Sequence, residues 1–307
     1  MRSFLAAFAI GTLSVLSTTG TAHAESITSL NVVAMGDSYG SGTGAGDYEP
    51  GTEGSCFRSA NSYSEVTVGK LREQGKRVKF TNVTCSGSAI TTLKESFKGE
   101  PPQFDALKRD TNVVMLSIGT NDIEFAAFGG LCIQADCSGA PATAIRELLP
   151  AMGENLKTLL SDIKTRSPRA TIVLTGYGQQ VAPGENAGGV PLDPICDSQV
   201  FTPQERVDGN QVSKELDATL RNATKAAQAR GIDVRFFSPY VNSVDLRPEF
   251  EGHSLCQAEP PFYRGFDALA PGQEGNDAVL HLNKQGQAAL ADLLQRKVPA
   301  LSVPASL

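Results

Sequence analysis

Val32-Val33-Ala34-Met35-Gly36-Asp37-Ser38-Tyr39-Gly40-Ser41-Gly42 decides how the chain reads. A short apolar run, long enough for one buried strand, breaks into glycines around a hydroxyl. The glycines permit a sharp turn, so the run predicts a strand that delivers Ser38 to the carboxyl edge of a sheet, where open α/β folds place their chemistry. Working outward, five apolar, β-branched runs predict strands over Leu30–Met35, Val78–Val83, Asn112–Ser117, Ala170–Thr175 and Asp233–Ser238. Between and after them, Tyr63–Gln74, Ala142–Arg166, Pro203–Arg230 and Asn283–Lys297 carry helical spacing. The first stops at Gly75 and the third at Gly231, both good helix terminators. Strands alternating with helices imply parallel pairing through right-handed crossovers, hence an α/β protein: a three-layer α/β/α sandwich around a central parallel sheet of about five strands.

Composition bounds the rest. Met1-Arg2-Ser3, the apolar Phe4–Leu16 and the small residues of Ala22-His23-Ala24 read as a secretory signal peptide cut after Ala24. The apolar run is short for a spanning helix and ends in Ser, Thr and Gly. About 280 residues then remain, which suits one large domain with a proper core over 25–307. A formal net charge of −6 argues against nucleic acid or an anionic membrane surface as the main partner. All six cysteines follow the leader, and an even count in an exported chain suggests three disulfides. Order and spacing favour Cys56–Cys85, Cys132–Cys137 and Cys196–Cys256. No CxxC pair exists and histidine is scarce, so metal ligation is the weaker reading. Two long Pro- and Gly-rich segments, Tyr177–Thr202 and Asn242–Asn276, each hold one cysteine, and a bridge between them favours an ordered wall around a pocket.

A serine hydroxyl needs a base before it attacks a carbonyl. After the leader the chain has only His253 and His281. His281 stands just before the last helix, where a loop can return to the carboxyl edge of the first strand. His253, beside a cysteine, reads better as structural. A tetrahedral intermediate also needs donors aimed at its oxyanion. Gly87, in Thr84-Cys85-Ser86-Gly87-Ser88-Ala89, follows the second strand, and its lack of a side chain lets its N–H approach a ligand. Asn121, in Ser117-Ile118-Gly119-Thr120-Asn121-Asp122, follows the third strand and can donate from its amide.

Gly36-Asp37-Ser38-Tyr39, Gly87, Gly119-Thr120-Asn121-Asp122 and His281 resemble, in order, the four blocks of the SGNH hydrolases, or GDSL-type lipases and esterases. The six-cysteine layout, Cys85-Ser86-Gly87 and Gly252-His253-Ser254-Leu255-Cys256 resemble the family's secreted actinobacterial branch. The resemblance implies a flavodoxin-like sandwich that hydrolyses carboxylic esters without a cofactor, with Ser38 as nucleophile and His281 as base. It implies an oxyanion hole made of the Ser38 and Gly87 N–H groups and the Asn121 side chain. The family usually carries an aspartate three residues before its histidine; here that position is Ala278, and the nearest carboxylate is Asp277. Either the Ala278 main-chain carbonyl or a bent-in Asp277 then orients the imidazole, the carbonyl being favoured.

Gly36-Asp37-Ser38-Tyr39-Gly40 also fits G-x-S-x-G, the elbow of α/β-hydrolases, but that elbow normally follows several earlier strands. The resemblance to a lipolytic branch, with export, implies lipid esters, fatty-acyl glycerides or phospholipids, as the favoured substrates; carbohydrate acyl esters and phospholipase A activity are the alternatives. A secreted binding module on a hydrolase scaffold is the rival from another class. The expected protein is a monomer whose partner is a small-molecule or lipid ester, with no nucleic acid and no stable membrane insertion. Val190, Leu192, Ile195, Phe201, Phe250, Leu255, Phe262 and Phe266 are the candidates for an acyl-chain groove.

Overall fold

The five apolar runs form five strands: β1 Leu30–Gly36, β2 Val78–Asn82, β3 Val113–Ser117, β4 Thr171–Thr175 and β5 Val234–Phe237. This computed structural model describes residues 29–297, so the expected leader and its cleavage point lie outside the described residues. All strand pairs are parallel and the sheet order is β2-β1-β3-β4-β5. Burial follows position in that order. Every residue of the central β3 is buried, whereas the edge strand β2 has none that is. A strand covered on both faces needs an unbroken apolar run, and Val113-Val114-Met115-Leu116 supplies one. Each such side chain contributes roughly 1.5–3 kcal/mol on burial.

Among the described residues six α-helices accompany the sheet: α1 Ser38–Ser41, α2 Tyr63–Glu73, α3 Phe125–Gln134, α4 Ala140–Arg166, α5 Pro203–Ala229 and α6 Lys284–Lys297. α2 packs on α6 and α4 on α5, forming the outer layers. Local chemistry sets their starts. Thr202 and Glu205 form a capping box ahead of α5, with Pro203 in its first turn. Among the described residues no helix is long and apolar enough to cross a membrane.

The three disulfides are Cys56–Cys85, Cys132–Cys137 and Cys196–Cys256. The last joins the two long loops, which also share backbone hydrogen bonds from Ala182 N to Leu255 O (3.0 Å) and from Leu255 N to Gln180 O (2.9 Å). The buried Arg206 guanidinium holds this layer by donating to the carbonyls of Phe201 (2.9 Å) and Cys196 (2.7 Å).

The strand order reverses direction between β1 and β3. In open α/β sheets, the crevice beyond the carboxyl ends of two such strands is where ligands bind, because their connections leave to opposite faces. Ser38 follows β1 and Asn121 follows β3, so both stand at this switch point.

Candidate active site

β1 ends in a turn that only glycine can make. Gly36 has φ +127°, and a Cβ there would overlap the Ser117 carbonyl oxygen. The Asp37 N–H donates to that oxygen (2.8 Å), so β1 grips β3 at the point of turning. Asp37 then caps α1. Its carboxylate is fully buried and accepts from Tyr39 N (3.1 Å), Ser117 Oγ (2.7 Å), Thr120 Oγ1 (3.3 Å) and the Tyr177 hydroxyl. Burial pushes the Asp37 carboxyl up to about 6, against the opposing pull of these donors. The cluster fixes the first turn of α1, on which Ser38 stands.

His281 is brought back by the loop ahead of α6. Leu280 N donates to Arg264 O, Arg264 N to His281 O and Asn283 N to Phe262 O, each at 2.8 Å. This short ladder clamps the loop to the 262–264 segment. The Tyr39 hydroxyl donates to the Leu280 carbonyl (2.7 Å), tying the Ser38 turn to the His281 loop. Leu280 takes φ +64°, a left-handed conformation that costs a non-glycine residue on the order of 1 kcal/mol. The result is a separation of 2.7 Å between His281 Nε2 and Ser38 Oγ.

The ring's other nitrogen corrects an expectation. His281 Nδ1 lies 3.2 Å from the Val279 carbonyl, not from that of Ala278. The Ala278 carbonyl is occupied by the His281 backbone N–H (3.1 Å). The cause is a 3-10 turn over Asn276–Ala278, which folds the Ala278 carbonyl toward the backbone, while the extended Val279 turns its own toward the ring. With Nε2 facing the Ser38 hydroxyl, the hydrogen-bond network assigns the proton to Nδ1, which donates to Val279 O. Asp277 is exposed and makes no hydrogen bond to the imidazole; it acts on the ring only through its charge. Burial, the largest influence, pushes the His281 imidazole down to about 4.

Gly87 has φ +87°, and the Cys56–Cys85 bridge holds its loop. Among the described residues neither the Ser38 nor the Gly87 N–H donates a hydrogen bond. Asn121 Nδ2 spends one hydrogen on the Ser88 carbonyl (2.8 Å), which leaves the other to donate elsewhere. The buried Gln103, which no sequence signal marked, is the joint between these parts. It accepts from Gly36 N (2.6 Å) and donates to Gly36 O and Ser88 Oγ (both 3.0 Å), bracing the turn before Ser38 against the loop that carries Gly87. Asp122, beside Asn121, accepts from Ile90 N at 3.1 and 3.2 Å.

Ser38, Gly87, Asn121 and His281 open together into one cleft of about 500 Å³. Its apolar lining departs from expectation. Of the eight proposed groove residues only Phe266 faces it. Ile195, Phe201, Phe250 and Leu255 are buried in the core, Leu192 and Phe262 pack against that core, and Val190 is exposed. The wall is built instead by Phe125, Ala126 and Ile133 of α3, with Leu269 and Leu280. No helix was expected there, because Gly129-Gly130 depresses helix propensity and the run is too short to show a period. His253 stands apart, stacked on Phe262 with ring centroids 4.0 Å apart. Among the described residues no group of three or more His, Cys, Asp or Glu side chains is placed to hold a metal ion.

A serine on an imidazole, with unspent donors beside it at a switch point, marks an α/β hydrolytic enzyme. The chain belongs to the GDSL-like lipase/acylhydrolase family, whose sequence model matches residues 34–289. It is 29% identical over 302 residues to Lipase 2 of Streptomyces coelicolor, covering 92% of each chain. Its fold is similar to the crystal structure of an extracellular lipase from Streptomyces rimosus, with TM-score 0.69, 22% identity, and 87% of this chain and 99% of that one covered. It is also similar to the crystal structure of phospholipase A1 from Streptomyces albidoflavus, with TM-score 0.67, 21% identity, and 88% and 100% covered.

Proposed function

We propose that this protein is a secreted, monomeric serine esterase acting on lipid acyl esters, working as a single catalytic domain over 25–307 after cleavage behind Ala24. The observation that carries the reading is the 2.7 Å Ser38–His281 contact in a cleft with apolar walls. Nε2 of His281 takes the Ser38 proton as Oγ attacks the ester carbonyl. The oxyanion then faces the Ser38 and Gly87 N–H groups and the Asn121 amide. The imidazolium, held by the Val279 carbonyl, returns its proton to the departing alcohol. A water molecule, deprotonated by the same ring, attacks the acyl-enzyme, releases the acid and restores Ser38.

The test is a p-nitrophenyl ester series from acetate to palmitate, run on the oxidised enzyme and on Ser38→Ala. Rates that vary more than about tenfold along the series, and vanish in the variant, are expected if α3 binds the acyl chain. Undiminished turnover by Ser38→Ala overturns the nucleophile, and a flat profile overturns the groove.

Asn121→Ala is expected to lower kcat by about 10²–10³, the usual cost of one oxyanion donor, with KM changed little. Steady-state kinetics on a single soluble ester checks this; a change confined to KM removes Asn121 from the hole.

The base must be neutral to accept a proton, and His281 is held down to about 4. kcat/KM is therefore expected to stay level as pH falls through the ordinary histidine range, then to drop with unit slope below about 4. An acid limb centred near the unperturbed value of about 6.5 would mean that water in the cleft solvates the half-buried ring and cancels the depression.

A further inference from the structure

Besides His281, the cleft lining holds two charged side chains, Lys98 and Asp277. They stand on different elements, and neither is used by the acyl-transfer steps. Lys98 sits at the tip of a tight turn closed by Phe97 N to Glu100 O (3.1 Å) and Glu100 N to Phe97 O (2.9 Å). It takes φ +51°, a conformation suited to the following Gly99 but costly for lysine. The turn is a rigid mount for a long side chain. Lys98 Nζ donates one hydrogen to the Ser55 carbonyl (2.9 Å), next to the Cys56–Cys85 bridge. It lies 3.5 Å from where a Gly87 Cβ would stand, so the ammonium is beside the candidate oxyanion loop with donors to spare.

Asp277 lies on the 3-10 turn that leads into the histidine loop. Its exposed carboxylate makes no hydrogen bond or ion pair among the described residues. Its charge acts on both Lys98 and His281, yet it forms no ion pair with Lys98. One cation and one anion, not paired with each other, thus line the same cleft as Ser38 and His281, along with apolar side chains of α3.

We propose that Lys98 and Asp277 form a headgroup subsite that selects zwitterionic glycerophospholipids, the ammonium of Lys98 taking the phosphate and the Asp277 carboxylate taking the headgroup's cationic nitrogen. This rests on the acyl-ester reading above and narrows its substrate class. The chemistry is consistent with the placement. The alcohol leaving from Ser38's attack is a lysophospholipid, whose phosphate sits a few bonds from the ester oxygen. A phosphate at that distance stays near the oxyanion loop and His281, where Lys98 and Asp277 stand.

The experiment measures oleate release from dioleoylphosphatidylcholine, dioleoylphosphatidylglycerol and dioleoylglycerol in identical detergent micelles. The readout is kcat/KM of each phospholipid relative to the diglyceride. Lys98→Met is expected to lower both ratios about tenfold, since both lipids carry the phosphate. Asp277→Asn is expected to lower the phosphatidylcholine ratio several-fold and to raise the phosphatidylglycerol ratio by relieving repulsion. Ratios that stay within about twofold in both variants overturn the subsite, as does a wild-type enzyme that cleaves the diglyceride but neither phospholipid. If the wild type releases oleate from none of the three, the lipid-ester reading fails and the subsite with it. A working diglyceride assay with unmoved ratios removes the subsite alone.

Discussion

His281→Ala is expected to lower kcat by about 10⁶ on a soluble ester, with KM little changed, since a serine–histidine pair acts as a unit and loses nearly everything when either half goes. In the proposed mechanism the loss lies in the transition states and the tetrahedral intermediate between them, because the ring holds the Ser38 proton there and not in the bound ester complex. Asp277→Asn is the informative companion. A true triad acid costs on the order of 10⁴ when changed to its amide, by presenting the wrong tautomer. Here the tautomer is set by the Val279 carbonyl, 3.2 Å from Nδ1, and the exposed Asp277 makes no contact with the ring. The expected cost is therefore under about tenfold on that ester. The charge removed is one that raises the His281 pKa, so the acid limb moves to lower pH, not higher. A loss near 10⁴ in Asp277→Asn would hand the orienting role back to that carboxylate.

The other large effect is on folding. Gly36→Ala places a methyl group inside the Ser117 carbonyl oxygen and demands φ +127° of an L-residue. Neither side can yield. The Gly36 N–H and carbonyl are both held by Gln103, and Ser117 O is fixed by Asp37 N. A cost of about 4 kcal/mol or more follows, a large share of the 5–15 kcal/mol that holds a typical domain together. For a chain of this size the melting temperature should fall by roughly 10 °C or more, if folded protein is recovered at all. Gly69→Ala is the control. It lies within α2, and an added Cβ meets nothing within 4 Å, so it should melt no lower than wild type. A Gly36→Ala variant melting with the wild type would mean that the turn after β1 is softer than its hydrogen bonds indicate.

Much of this architecture is legible in the sequence. The apolar runs mark the strands to within one residue at each end, because apolar β-branched runs of this length have few other uses. Glycine and serine after β1, and glycine after β2 and β3, were legible for a similar reason: a backbone that must turn sharply at a sheet edge advertises itself locally. The order of these blocks also pointed to the family, since each is tied to a strand end and strand ends share one edge of a parallel sheet.

What composition and period could not reach were groups whose roles depend on residues distant in the chain. Gln103 looks like any surface glutamine until the fold sets its amide between Gly36 and Ser88. α3 is hidden by its own glycines, and its wall exists only where it meets Leu280 and Phe266 across the cleft. The choice between Val279 and Ala278 turns on which way a single 3-10 turn points its carbonyls, a matter of two dihedral angles that no residue type specifies. Local patterning wrote the strands, the turning glycines and the hydroxyl into the primary structure, because their causes act over a few neighbouring residues. The partner of the imidazole, the apolar wall and the Lys98–Asp277 gap belong to the folded chain, because each is a distance between segments that only packing brings together.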